Sequence, residues 1–185
     1  MDRFDGEFDA VLAGAVTGAP WALERIFTTL SPIVAGYLRM QGAHEPDDLT
    51  SEVFVAVLRK ITTFRGDEPG FRSWVFTIAH RRLIDERRRS VRHGNVIPMT
   101  DDHDLPAPDD VAETALQSLA VDRVRELCDQ LVPDQRDVLL LRLVGRLTIE
   151  EVAATVDKTP GAVKALQRRG FRAVGRILER EGVPL

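Results

Sequence analysis

Cysteine is almost missing from this chain. Cys128 is the only one among 185 residues, so no intrachain disulfide can form, which is consistent with a reducing compartment. Long apolar runs are missing too. The uncharged stretches are far too short to span a membrane, and Met1 to Asp9 is acidic with no apolar segment behind it, unlike a secretory signal. These absences predict a cytoplasmic protein with no membrane segment. The histidines, His44, His80, His93 and His103, are scattered and show no zinc spacing with Cys128 or with a Glu. No phosphate-binding glycine loop is present. No nucleophile and base stand at catalytic spacing, so no enzyme, metal or cofactor is expected. Lysine is scarce, limited to Lys60, Lys158 and Lys164 among 25 basic residues, and we attach no structural weight to that bias. Alternating strand patterns are absent from the first half of the chain.

What remains is helical and unevenly charged. Hydrophobic content is 44% and charged content 29%, ordinary for a globular chain long enough for one large domain or two small ones. The net charge of −4 hides the distribution. Arg142 to Arg180 carries nine Lys/Arg against four Asp/Glu, and Arg81 to Arg92 carries six Arg against Asp85 and Glu86. Between them Asp101 to Glu113 has six acids and no Lys or Arg. Two basic regions separated by an acidic one suit two nucleic-acid-facing domains on a tether.

Leu147 to Phe171 is the most informative stretch. Thr148 and Glu151 have capping-box spacing, and Ile149, Val152, Ala153 and Val156 form one apolar face. A turn is predicted at Asp157-Lys158, where Asp tolerates the left-handed conformation usually given to Gly. Thr159 caps a second helix with Pro160 at its first position. Val163 and Leu166 face inward, leaving Lys164, Gln167, Arg168 and Arg169 outward. This is the layout of a helix-turn-helix that places a helix in a DNA major groove. A structural α-hairpin with a solvated basic face has the same spacing.

Toward the N-terminus, Phe4 to Ala15 has helical spacing. A second helix opens at Pro20, with a kink or restart expected at Pro32, and a third opens at Pro46. Phe64 to Gly70 reads as a loop, followed by a long helix from Phe71 to Arg89. Gly94 to Asp110, with Pro98, Pro106 and Pro108 amid acids, reads as a flexible linker. Asp101, Asp102 and Asp104 belong to that solvated linker rather than to a metal site. Helical spacing resumes from Leu116 to Leu131, and Pro133 opens a further helix carrying the run Val138 to Leu141. Gly170 and Gly175, poor helix formers, are expected to bend or fray the last helix.

The order Asp48-Leu49, Glu52-Val53-Phe54, Phe64-Arg65-Gly66, Phe71, Trp74-Val75, Ile78-Ala79, Arg82-Leu83-Ile84-Asp85 resembles region 2 of the bacterial sigma-70 family. Leu131, Pro133, Gln135-Arg136 and Val138 to Arg142, followed by the helix-turn-helix, resemble region 4. With no room for other regions, the layout is similar to the extracytoplasmic-function (ECF) group. The resemblance implies an all-α chain of two small helical domains: region 2 over 1–92, a flexible acidic linker over 93–113 and region 4 over 114–185. It implies binding to core RNA polymerase, recognition of a −35 duplex by region 4, and opening of the −10 element by region 2 with capture of the non-template strand. An anti-sigma factor is a further implied partner.

Residue by residue, the resemblance places polymerase contacts at Asp48, Leu49, Glu52, Val53, Ala56 and Arg59, with Asp48, Glu52, Ala56 and Arg59 as the outer positions. Contacts to −10 DNA fall on Phe64, Arg65, Asp67, Trp74, His80, Arg81, Arg82 and Arg88. A flipped base needs apolar walls and polar edges, which the loop at Phe64, Arg65 and Asp67 can offer. Trp74 shares the face of Phe71 and Ile78 and reads first as core. His80 is the sharpest specificity candidate. Contacts to −35 DNA fall on Lys158, Thr159, Pro160, Gly161, Lys164, Ala165 and Arg168, with Lys164 and Arg168 foremost. Two other readings compete: a helix-turn-helix regulator acting without polymerase, and a helical interaction module.

Overall fold

The computed structural model describes residues 3–92 and 123–182. The acidic linker, the expected helix over 116–122 and His93 and His103 lie outside the described residues. Among the described residues there are helices and no strand.

The N-terminal unit holds α1 (Phe8–Val16), α2 (Pro20–Met40), α3 (Pro46–Lys60), a 3-10 turn (Ile61–Thr63) and α4 (Glu68–Arg92). On α2 the buried residues Ala22, Ile26, Leu30, Val34, Tyr37 and Leu38 recur every three or four positions, which makes one inward stripe. Against expectation α2 runs unbroken through Pro32. Pro32 and Thr28 are both exposed, so the carbonyl of Thr28 that loses its Pro32 N–H partner lies on the solvent side of the helix. Gly42, at φ +73°, ends α2, and Ala43 N–H closes back onto Leu38 O at 3.0 Å. That is a Schellman stop, and the left-handed residue it needs is cheapest as Gly.

The loop over 64–67 is shorter than expected because α4 starts at Glu68. Asp67 caps it: its Oδ1 accepts from Gly70 N–H at 2.9 Å, and its backbone oxygen accepts from Phe71 N–H at 2.9 Å. The acid at the helix start also suits the dipole.

The C-terminal unit holds helical residues 123–129 (α5), α6 (Pro133–Leu143), α7 (Ile149–Thr155) and α8 (Pro160–Arg180). Val138, Leu139, Leu140 and Leu141 are all buried, because α6 packs on α7 and α8 and also reaches α2 of the other unit. α8 is continuous through Gly170 and Gly175. The expected bend is absent for a packing reason. A Cβ on Gly170 would lie 2.8 Å from Leu139 Cδ1, so the glycine lets α8 approach α6.

The two units share one core. It runs from Phe4, Phe8, Tyr37 and Phe71 through Phe76 and Leu83 into Val138, Leu141, Leu147, Val152 and Val163. At the join a Cβ on Gly145 would meet Phe76 Cδ1 at 3.1 Å. α4 packs against α7, and Thr77 Oγ1 and Thr155 Oγ1 are hydrogen-bonded at 2.9 Å across that contact.

Candidate nucleic-acid interface

The helix-turn-helix forms as its local chemistry dictates. Thr148 Oγ1 accepts from Glu151 N–H at 3.2 Å, and Glu151 Oε2 accepts from Thr148 N–H at 2.6 Å, completing the capping box. Asp157 takes φ +53°, and Lys158 N–H reaches back to Ala153 O at 3.0 Å. The turn is therefore a Schellman stop made with Asp in the left-handed position. Thr159 Oγ1 accepts from Ala162 N–H at 3.2 Å to start α8, with Pro160 in its first turn. Val163 and Leu166 are buried, and Lys164 and Arg168 are exposed one turn apart. Gly161 is exposed and Ala165 half-buried on the same helix. Lys158 is tied back to α6 by Asp134 Oδ2 at 2.9 Å. Lys164 and Arg168 make no ion pair among the described residues.

On α3 the outward ridge is Asp48, Ser51, Glu52, Val55 and Arg59. Ala56, assigned to the outer face from sequence, is buried with Leu49, Val53 and Phe54. Helical geometry gives the reason, since 56 lies about one turn from 53 and two from 49 on the inner stripe. The exposed apolar residue of that ridge is Val55, 48% exposed, a position with no signal in the helical spacing. Glu52 faces Arg82 of α4 at 3.9 Å, with both side chains well exposed. A pair so wet adds little stability.

The loop before α4 is folded upon itself. Phe64 is buried, with its ring 5.1 Å from Phe71 and 5.4 Å from Trp74. Trp74 is half-buried in the same aromatic group, in keeping with a packing role. Arg65 Nη1 donates to Thr62 O at 2.8 Å and Phe64 O at 2.6 Å, and Asp67 is the helix cap already described. Farther along α4, Arg81 and Arg88 are exposed. His80 is not: it is 5% exposed, and its Nδ1 lies 2.9 Å from the hydroxyl of Tyr37. Burial, more than any neighbouring charge, holds its imidazole below the ordinary histidine range; Asp137 opposes and Arg87 adds to that shift. Among the described residues no cluster of three or more His, Cys, Asp or Glu is placed to hold a metal, and no helix is long and apolar enough to cross a membrane.

Residues 26–93 match the family model Sigma-70 region 2, and residues 122–174 match Sigma-70, region 4. The chain is 32% identical over 170 residues to ECF RNA polymerase sigma factor SigD of Mycobacterium tuberculosis (strain ATCC 25618 / H37Rv), covering 89% of this chain and 80% of that protein. This chain belongs to the sigma-70 family, in its ECF group. It is a sigma initiation factor. A second relative is ECF RNA polymerase sigma factor ShbA of Streptomyces griseus subsp. griseus (strain JCM 4626 / CBS 651.72 / NBRC 13350 / KCC S-0626 / ISP 5235). It is 29% identical over 180 residues, covering 92% of this chain and 94% of ShbA. Among solved structures, CnrH in complex with the cytosolic domain of CnrY shares the fold, with a TM-score of 0.66 at 22% identity over 92% of this chain and 96% of that one.

In this sigma factor region 4 sits on region 2. Arg87 Nη1 of α4 faces Asp137 Oδ1 of α6 at 3.6 Å. A cleft of about 420 Å³ opens beside them, and it brings His80, Arg81 and Arg88 of region 2 opposite Lys158 of region 4. Tyr37, Gln41, Thr77, Asp137 and Thr155, which build this seam, carried no signal in the sequence.

Proposed function

We propose that the chain directs core RNA polymerase to promoters through three surfaces. The ridge Asp48, Glu52, Val55 and Arg59 docks on polymerase. The segment Phe64 to Arg88 handles the −10 non-template strand. The outer face of α8 anchors the −35 duplex through Lys164 and Arg168. Region 2 then spans 1–92, region 4 spans 114–185 and 93–113 joins them. The observation that carries the reading is the pairing of a capped helix-turn-helix, bearing Lys164 and Arg168 on its exposed face, with a matched region 2 in one chain. A regulator that only bound duplex DNA would have no use for that second region.

In this reading the chain has no catalytic activity of its own, needs no cofactor and works in the cytoplasm. An anti-sigma factor completes the proposal: a protein that grips both regions would withhold the chain from polymerase, and CnrH, which shares this fold, occurs in complex with the cytosolic domain of CnrY. Run-off transcription with purified core polymerase tests the function. Promoter-specific transcripts that require this chain are the expected result. DNA binding without transcripts would replace the reading with that of a simple regulator.

A further inference from the structure

The polar chain beneath the seam has a direction. Arg87 Nη2 donates to the backbone oxygen of Gln41 at 2.7 Å and to its Oε1 at 2.9 Å. The Gln41 amide is thereby oriented, and its Nε2 donates to the Tyr37 hydroxyl at 3.3 Å. The Tyr37 hydroxyl, accepting from Gln41, has its own proton to offer to His80 Nδ1, at 2.9 Å. In that arrangement Nδ1 is bare and His80 neutral.

A second proton on His80 would set two donors against each other at that contact. It would also bury a cation beneath region 4 in the neighbourhood of Arg87. The other groups around the imidazole are Arg81, Asp85 and Arg88 on its own helix, Asp134 and Asp137 on α6, and Asp157 and Lys158 at the turn. Asp137 is the carboxylate whose charge favours the imidazolium. Its Oδ1 is buried without a hydrogen-bond donor and already faces Arg87.

We propose that the seam is a proton-released latch: region 4, seated on α4 through Asp137 and Thr155, covers His80, and a proton on His80 lifts it off. The sign follows from the cover. Open, the imidazole is wet and titrates at about 6.5. Closed, it resists the proton, so the closed form is favoured above that range and loses ground as pH falls through it. Opening uncovers His80, beside the already exposed Arg81 on α4. Its value for −10 DNA rests on the proposed function, whereas the latch itself does not.

Small-angle scattering of the full chain between pH 8 and pH 5.5, with circular dichroism alongside, tests it. The radius of gyration is expected to rise as pH falls through about 6.5, with helix content unchanged. His80→Gln keeps an acceptor for Tyr37 and should stay compact throughout. Tyr37→Phe removes the opposing donor, so the closed form tolerates the proton better and the expansion should move to lower pH. An unchanging wild-type radius, the same expansion in His80→Gln, or an unmoved midpoint in Tyr37→Phe would overturn the latch. Loss of helix with the expansion would mean unfolding and would overturn it equally. None of these outcomes touches the transcription assay, so the two readings fail separately.

Discussion

Arg87 and Asp137 face each other across the seam at 3.6 Å, and Arg87 also holds both oxygens of Gln41. One guanidinium thus joins α4 to the end of α2 and to α6. Arg87→Ala removes two charge-assisted hydrogen bonds and strands a buried carboxylate. A loss of about 2 kcal/mol is expected in urea unfolding of the full chain. Arg87→Lys should recover only part of it, since a single ammonium cannot span the same acceptors in the fork geometry of Arg.

Tyr37 is the sole tyrosine, so phenolate absorbance reports on it alone. Its hydroxyl is pushed far above the ordinary range, first by burial and then by Asp137, while Gln41 and Arg87 oppose. The folded value exceeds the unfolded one of about 10. Stability from this group is therefore complete below that pH and is lost as pH rises above it. No phenolate signal should appear before the chain unfolds in alkali, and Tyr37→Phe should flatten the decline of stability above about pH 10.

Glycine to alanine should have opposite signs at two helical positions. A Cβ at Gly36 meets nothing within 4 Å, so Gly36→Ala should raise stability by about 1 kcal/mol. At Gly170 the new atom would press on Leu139 Cδ1 at 2.8 Å and Cγ at 3.1 Å. Gly170→Ala should lower stability by about 1–2 kcal/mol despite its better helix propensity. Thermal melts of the two variants beside wild type decide it.

Lys164 and Arg168 are exposed and make no ion pair among the described residues, so replacing them should leave stability within about 0.5 kcal/mol. Their effect is expected on DNA instead. If Arg168 reads a base edge, Arg168→Ala costs about 1–3 kcal/mol against the preferred −35 duplex and little against others. If Lys164 meets a phosphate, Lys164→Ala weakens all duplexes alike and lowers the salt slope by about 1. Anisotropy titrations of holoenzyme at several salt concentrations separate the two.

Much of this was legible in the chain itself. Thr148 with Glu151, Asp157 in the turn and Thr159 with Pro160 specify the helix-turn-helix through bonds a few residues long, so spacing alone revealed them. The stripe of α2 and the start at Pro46 came from periodicity and a breaker, which are equally local. The basic and acidic blocks and the ordered region 2 and region 4 residues pointed to the sigma-70 family before any coordinate was known.

Other features belong to tertiary structure, because they depend on what another helix brings to the same place. Ala56 faces inward and Val55 outward by the exact roll of α3 on its neighbours. Pro32 sits within α2 because that turn faces water. Gly170 is a contact with Leu139 rather than a weak point, which only the closeness of α6 and α8 reveals. His80 shows the division most plainly. Its sequence position marked it as a residue for DNA, yet Tyr37 from α2 orients it and region 4 covers it. Local bonds close within a turn and are written in adjacent residues. Burial is the sum of contacts from distant ones, and the fold alone assembles that sum.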